Sequence, residues 1–282
     1  MRILAKKRFG QHFLRDTGIL DRISRLVQPG SEDVVLEIGA GNGALSVRLA
    51  PAVARLLAVE LDFDCLPALE TSLAPFPTAQ VIQGDILELD LEELIGRYLQ
   101  AGNRLRVVGN LPYNIATPII QRFLHSSLPI ADMVFMLQLE VAERIIASPG
   151  SRQFGILSIQ CQHLAEARIA FKVAPACFVP RPKVMSAVVT LRPLPKPTNP
   201  ALEACFVELV KAAFSHRRKT LANSLRRNPV LGAHSSALLV EAGIDGSRRP
   251  EDLSVKEYEH LALVRLRLLR SREKDEPGGA NP

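Results

Sequence analysis

The chain has 282 residues, 47% of them hydrophobic and 23% charged, with 35 basic against 29 acidic side chains. These values describe a folded protein long enough for one large domain and a smaller one, and they exclude a disordered or fibrous chain. No apolar run approaches the roughly 20 residues needed to span a bilayer, and the start, MRILAKKRFGQHFL, lacks a signal peptide's apolar stretch, so a cytoplasmic protein with no membrane partner is expected.

The chain opens on a basic segment, residues 1–16, with Lys6, Lys7 and Arg8 beside Phe9. Apolar residues at helical spacing from Ile19 to Val27 predict a first helix, ended by Pro29-Gly30. From Asp33 onward, short apolar runs alternate with helical stretches: VVLEI (34–38), LLAVE (56–60), AQVIQ (79–83), RVVG (106–109) and DMVFML (132–137). That rhythm predicts a mostly parallel sheet with crossover helices, an α/β fold of the Rossmann-like kind. ARIAFKV (167–173) and VMSAVVTL (184–191) predict an antiparallel hairpin added to the sheet. Four prolines in PLPKPTNP (193–200) mark a domain boundary.

Beyond it, residues 202–214, 221–226, 236–242 and 255–269 predict a small all-α domain; VRLRLL (264–269) also alternates like a strand, but the apolar pattern continues back to Leu261 and favours helix. The expected division is thus a catalytic domain over 1–195, a helical domain over 196–272 and a disordered tail over 273–282. Residues 1–195 hold 20 basic and 18 acidic groups, residues 196–272 hold 14 and 8, so the basic surplus sits in the C-terminal third. A localised surplus points to a polyanion, and Arg217, Arg218 and Lys219 beside Phe214, with Lys6, Lys7 and Arg8, suit phosphate contact and stacking in RNA. Cys65, Cys161, Cys177 and Cys205 form no CxxC pair and the six histidines no HxxxH, so buried structural thiols and no metal are expected.

Gly39, Gly41 and Gly43 fall where the first predicted strand turns into a helix, a place where backbone can approach a nucleoside ligand. Gly39-Ala-Gly-Asn-Gly-Ala44 also satisfies a dinucleotide fingerprint, with Glu60 21 residues on from Gly39, so an NAD enzyme fits at this point. Glu60 suits the hydroxyls of any adenosine ribose. Asp85, after the third strand, either caps a helix or accepts from an adenine amino group, the second role favouring S-adenosylmethionine.

NLPYN (110–114) follows the fourth strand at the carboxyl edge of the sheet, where open α/β folds place ligands. Asn-Leu-Pro-Tyr alone also fits an ordinary turn. Adenine N6 is a poor nucleophile, because its lone pair is delocalised into the ring. Two acceptors aimed at its protons, the Asn110 Oδ1 and the Leu111 carbonyl, make it more tetrahedral; Pro112 fixes the turn, and Tyr113 offers a face for a flipped base. Direct in-line transfer from a sulfonium then follows, with no covalent nucleophile.

KRFGQHFLRD, VLEIGAGNGALS, VELD, GDI, VGNLPYN, CFVPRPKVMSAVV and AFSHRRKTLANSL, in this order over about residues 6 to 270, resemble the ribosomal RNA adenine dimethyltransferases, specifically the bacterial small-subunit (KsgA/RsmA) family. The resemblance implies N6 dimethylation of two adjacent adenines in the 3′-terminal hairpin of small-subunit (16S) rRNA, in an immature small ribosomal subunit. It implies S-adenosylmethionine contacts from His12, Leu14, Gly39, Glu60, Asp85 and Asn110, and a base sandwiched between Tyr113 and Phe178. A monomer is expected. The chain departs from the family pattern in having His12 where Asn is common, Arg181 and Met185 where Pro and Asp are usual, and Leu139 where Lys is frequent. A large-subunit rRNA dimethyltransferase, an NAD oxidoreductase and a non-catalytic RNA-binding assembly factor are the competing readings.

Overall fold

The computed structural model describes residues 11–100, 102–216 and 218–275, which fall into two compact units. The first contains residues 1–143 and 165–194. Its strands are β1 (Phe13–Leu14), β2 (Asp33–Ile38), β3 (Arg55–Glu60), β4 (Ala79–Gln83), β5 (Arg104–Asn110), β6 (Ile130–Gln138), β7 (Ala165–Val173), β8 (Phe178–Val179) and β9 (Ser186–Pro193). Seven of them form one sheet in the order β4-β3-β2-β5-β6-β9-β7. β2 to β6 run parallel, and β9 and β7 close the edge as the antiparallel pair predicted from their alternation. All six residues of β2 are buried, the charged Asp33 and Glu37 with the apolar Val34, Val35, Leu36 and Ile38, as a central strand with both faces covered requires.

Helices α1 (Thr17–Val27), α2 (Ser46–Leu49), α3 (Leu66–Leu73), α4 (Leu91–Gly96) and α5 (Ala116–His125) connect the strands. α1 starts where the Asp16 carboxylate accepts from Ile19 N at 3.0 Å, and buries Leu20, Ile23 and Val27, each worth roughly 1.5–3 kcal/mol in apolar transfer. At the amino ends of β2 and β5, Asp33 is fully buried against Arg104 Nε (2.9 Å) and Arg106 Nε (2.7 Å), and Arg106 also pairs with Asp132 on β6. Burial alone raises the Asp33 pKa, yet the hydrogen bonds from Arg106 and Gly30 outweigh it and hold the carboxyl below its ordinary value. This pinning leaves the opposite, carboxyl ends free for loops. The chain leaves β2 with β3 on one side and β5 on the other, so the crevice at that reversal opens beside the glycine loop.

The second unit holds residues 144–164 and 195 onward. The helices are α6 (Leu139–Ile145), which straddles the division, α7 (Ile156–Leu164), α8 (Pro200–Ala213), α9 (Leu221–Arg226), α10 (Ser235–Glu241) and α11 (Val255–Asp275). Its core gathers Phe154, Ile159, Phe206, Leu209, Leu225, Tyr258 and Leu261. The structure therefore differs from the expected 1–195 division: 144–164 joins the helical unit because Phe154 and Ile159 bury their side chains in that core. VRLRLL is helical, and α11 continues through residues 273–275 of the expected tail; the rest of that tail lies outside the described residues. Among the described residues no helix is long and apolar enough to cross a membrane, and no group of three His, Cys, Asp or Glu side chains could hold a metal ion. Cys65, Cys161 and Cys205 are buried, whereas Cys177 is part-exposed, with Sγ 3.6 Å from an Asp16 oxygen.

Candidate active site

The turn after β2 begins at Gly39, whose N–H donates to Val59 O (2.9 Å), as does that of Ala40 (3.2 Å), so the loop is laced to the end of β3. Gly41 takes φ +59°, a left-handed conformation that glycine adopts without a Cβ clash, and its N–H thereby reaches Glu60 Oε2 at 2.7 Å. Glu60 Oε1 accepts from Asp62 N, also at 2.7 Å. This carboxylate, 6% exposed, also takes the Leu61 N–H and still has acceptor capacity for a further donor. Burial raises the Glu60 pKa, and the N–H bonds from Asp62 and Gly41 oppose that shift.

Asn110 closes β5. Gly109 before it has to be glycine, since a Cβ there would lie 2.6 Å from Ile38 O. Asn110 Nδ2 donates to His12 O at 2.9 Å. A carbonyl only accepts, so this bond orients the amide, and Oδ1 has no partner among the described residues. Leu111 is pinned by its N–H to Met136 O (3.1 Å). Tyr113 Oη bonds Ser186 Oγ at 2.7 Å, and burial raises the phenol pKa. The His12 ring stacks on Tyr113 with centroids 5.6 Å apart, its Nδ1 donating to Pro180 O at 2.7 Å.

Asp85 caps the turn that follows β4. Oδ1 accepts from Leu87 N (2.8 Å) as a local cap, while Oδ2 has no partner among the described residues and the side chain borders the cavity.

These groups line one cavity of about 230 Å³, which brings together His12, Gly39, Gly41, Glu60, Asp85, Asn110, Leu111, Pro112 and Tyr113, with Ile38, Val59 and Ile86 as apolar walls. Leu14 is not on that wall. It lines an adjoining cavity of about 50 Å³ that shares Phe13, Gly39, Gly41 and Asn110. Phe178 needs a correction. It is 2% exposed and packs in the core, because β8 pairs with β1 (Leu14↔Phe178) and turns the ring inward; it borders neither cavity. The stack on Tyr113 is His12 instead.

Lys6, Lys7, Arg8 and Arg217 lie outside the described residues. Arg218 and Lys219 are exposed between α8 and α9, Arg218 at φ +73°. Gln11, Asp62 and Glu37 were missed from sequence. Gln11 Nε2 bonds Asp62 Oδ2 (2.9 Å) at the cavity edge. Glu37 lies fully inside β2 and faces the smaller cavity, its Oε2 buried without a partner, and burial pushes its carboxyl up to about 8. The available signal was a carboxylate inside an otherwise apolar strand, costly unless it has a task.

The model of the family described as ribosomal RNA adenine dimethylase matches residues 3–264. The chain belongs to this family. Ribosomal RNA small subunit methyltransferase A of Chromohalobacter salexigens is 45% identical over 259 residues, 92% of this chain and 90% of that one. The protein of the same name from Bacillus mycoides is 40% identical over 262 residues, 91% and 90%. Among solved structures, a dimethyladenosine transferase from Plasmodium falciparum superposes with a TM-score of 0.74 at 23% identity, over 94% of this chain and 98% of that one, a likeness of fold. The 23S rRNA methyltransferase ErmE superposes with a TM-score of 0.68 at 25% identity, over 89% and 98%.

As a ribosomal RNA adenine dimethylase the protein is a methyltransferase that uses S-adenosylmethionine and acts on rRNA, which removes the NAD reading of the glycine loop. The cavity fits this donor: a buried carboxylate with acceptor capacity for ribose hydroxyls, an Asp85 oxygen with no partner among the described residues for an adenine amino group, and apolar walls for the base.

Proposed function

We propose that this protein dimethylates N6 of two adjacent adenines in the 3′-terminal hairpin of 16S rRNA, acting in the cytoplasm as a metal-free monomer on immature small ribosomal subunits. The observation that carries the reading is Asn110: a tethered amide whose Oδ1 has no partner among the described residues, on the cavity wall beside an aromatic stack. Small-subunit rRNA is favoured over large by identities of 45% and 40% to small-subunit methyltransferases, against 25% to a 23S enzyme.

Glu60, Asp85, Gly39 and Gly41 would hold S-adenosylmethionine, with His12 at its rim and Leu14 behind the wall in the adjoining cavity. When bound, the group supplies an electrophilic methyl on a sulfonium. In the first transfer the Asn110 Oδ1 and the Leu111 carbonyl accept from the two N6 hydrogens, drawing the nitrogen lone pair out of conjugation and meeting the positive charge that grows on N6, which then loses one of these protons to solvent; in the second, N6 carries one methyl and one hydrogen, a single acceptor holds that hydrogen, and it is lost in turn. Because both acceptors are fixed, by His12 O and Met136 O, little reorganisation accompanies the reaction. Tyr113, held by Ser186 and backed by His12, receives the flipped base, a contact worth about 1–3 kcal/mol. Phe178, buried in the core, is left out of that contact. Arg218 and Lys219, with Lys6, Lys7, Arg8 and Arg217, bind rRNA phosphates.

Incubating small subunits that lack these methyl groups with labelled cofactor and mapping the product by primer extension tests the proposal. Stops at two adjacent adenines of the terminal hairpin are expected. Absence of label there overturns it, and label in large-subunit RNA instead supports the competing reading.

A further inference from the structure

Three exposed apolar side chains fall within seven residues of the chain that are tied to the cavity-lining His12 and Tyr113: Val179 (46% exposed), Val184 (45%) and Met185 (37%). Arg181 and Lys183 stand between them, exposed and without an acidic partner among the described residues. The segment is not loose. Val179 pairs with Phe13, Pro180 O accepts from His12 Nδ1 (2.7 Å), Pro182 is buried, Met185 O accepts from Leu139 N (2.9 Å), and Ser186 Oγ bonds Tyr113 Oη (2.7 Å). Two of these anchors, His12 and Tyr113, line the cavity, so the loop is held in register with the site.

A fixed loop that keeps apolar groups in water gains from being covered, since each square ångström removed from solvent returns roughly 25 cal/mol. The alternation of apolar and cationic side chains decides what covers it. A single strand of RNA presents flat base faces and phosphates at short intervals, and cations with apolar platforms beside them match both. A protein partner would meet two unpaired positive charges and need acidic groups in their place.

We infer that the loop 179–185 binds the RNA strand flanking the flipped adenine, Val179, Val184 and Met185 bearing on the neighbouring base while Arg181 and Lys183 take its phosphates. This rests on the proposed function and extends it from the reacting base to its neighbour. These five are positioning residues and touch no reacting atom; since none of them lines the cavity, cofactor affinity is independent of them.

The test compares the full chain with an Arg181→Ala/Lys183→Ala double variant and with Met185→Asp. Calorimetry with S-adenosylhomocysteine is expected to give equal affinity for all three. In methyl transfer to unmethylated small subunits, the double variant is expected to raise KM about tenfold with kcat within about twofold. It also lowers the slope of log affinity against log salt by about 1.4, that is, about 0.7 for each of the two single-strand phosphates no longer neutralised. Met185→Asp is expected to raise KM with the salt slope unchanged. A fluorescent deca-adenylate RNA should bind the double variant at least about fivefold more weakly than the wild type.

Unchanged KM and salt slope in the double variant overturn the inference and leave the functional reading standing. A raised KM with an unchanged salt slope in that variant assigns the loop to a protein component of the subunit and overturns it as well. If the wild-type chain labels no small subunit, the functional reading fails, and the loop is judged on deca-adenylate alone, where equal binding by both chains defeats it.

Discussion

Glu37 in the first unit and Glu257 in the second are glutamates treated in opposite ways by their surroundings. Glu257 uses both oxygens: Oε1 takes Arg248, and Oε2 takes Ser254 N (2.7 Å), Ser254 Oγ (2.8 Å) and Arg248 Nη2 (3.3 Å). The Arg248 hydrogen bond holds its carboxyl down to about 2. Glu37 has a buried Oε2 with no partner among the described residues, and burial pushes its carboxyl up to about 8. The carboxylate at the start of α11 serves the fold, whereas Glu37, like Asn110 Oδ1 and Asp85 Oδ2, is a polar group left incompletely paired at the edge of a cavity. Such groups cost stability in the free protein and mark where a ligand belongs.

Removing Asn110 from this contrast should cost activity and little stability. Asn110→Ala is expected to lower kcat for methyl transfer by about 10²–10³-fold, the usual loss for a fixed group that meets transition-state charge, with the melting temperature shifted by only a few degrees. Full activity in this variant would remove the amide from the mechanism.

Glu37 sharpens the contrast through pH. Its folded carboxyl keeps a proton to about pH 8, while the unfolded one releases it near the ordinary 4.5. Its contribution is thus present below 4.5 and is lost as pH rises from there through about 8, so the free protein weakens over that window. Glu37→Gln cannot ionise and is expected to gain on the order of 3 kcal/mol over wild type at pH 8, with no advantage at pH 4. Denaturant melts at the two pH values measure this; a variant less stable at pH 8 contradicts it.

Glu257 has the reverse sign and the smallest effect. With its folded value near 2 against an ordinary 4.5, it stabilises above 4.5 and loses that contribution as pH falls from 4.5 through about 2. The pair with Arg248 is about one-third exposed, so solvent screening reduces its worth, and Glu257→Gln is expected to cost about 1 kcal/mol at pH 7 and nothing at pH 2. Methyl transfer at 25 °C should stay within about twofold of wild type. A large loss of transfer would show that the helical unit's caps also shape the site.

Much of the site was legible in the residues themselves. Gly39, Gly41, Glu60, Asp85 and Asn110 stand at the ends of strands whose apolar runs are plain in the chain, and the strand order brings those ends to one cavity. Glu37 escaped notice because it reads as the interior of VVLEI, and only the folded structure shows its oxygen unpaired. Residues 144–164 carried no signal of membership in the helical unit, since the apolar pattern of α7 says that it packs and not against what.

By itself the sequence determined the parallel sheet with its antiparallel edge, the helical unit, the glycine turn and the chemistry open to Asn-Leu-Pro-Tyr, because each depends on periodicity or backbone preference within a few residues. The tertiary structure alone decided that Phe178 is buried, that His12 stacks on Tyr113, and that the loop 179–185 is tied by hydrogen bonds beside the cavity-lining His12 and Tyr113. All three follow from one ribbon of two residues per strand, β1 on β8, and the bonds around it. A pairing that joins residues about 165 positions apart leaves no local period to read, since its stability comes from the core it closes over and not from the strands it joins.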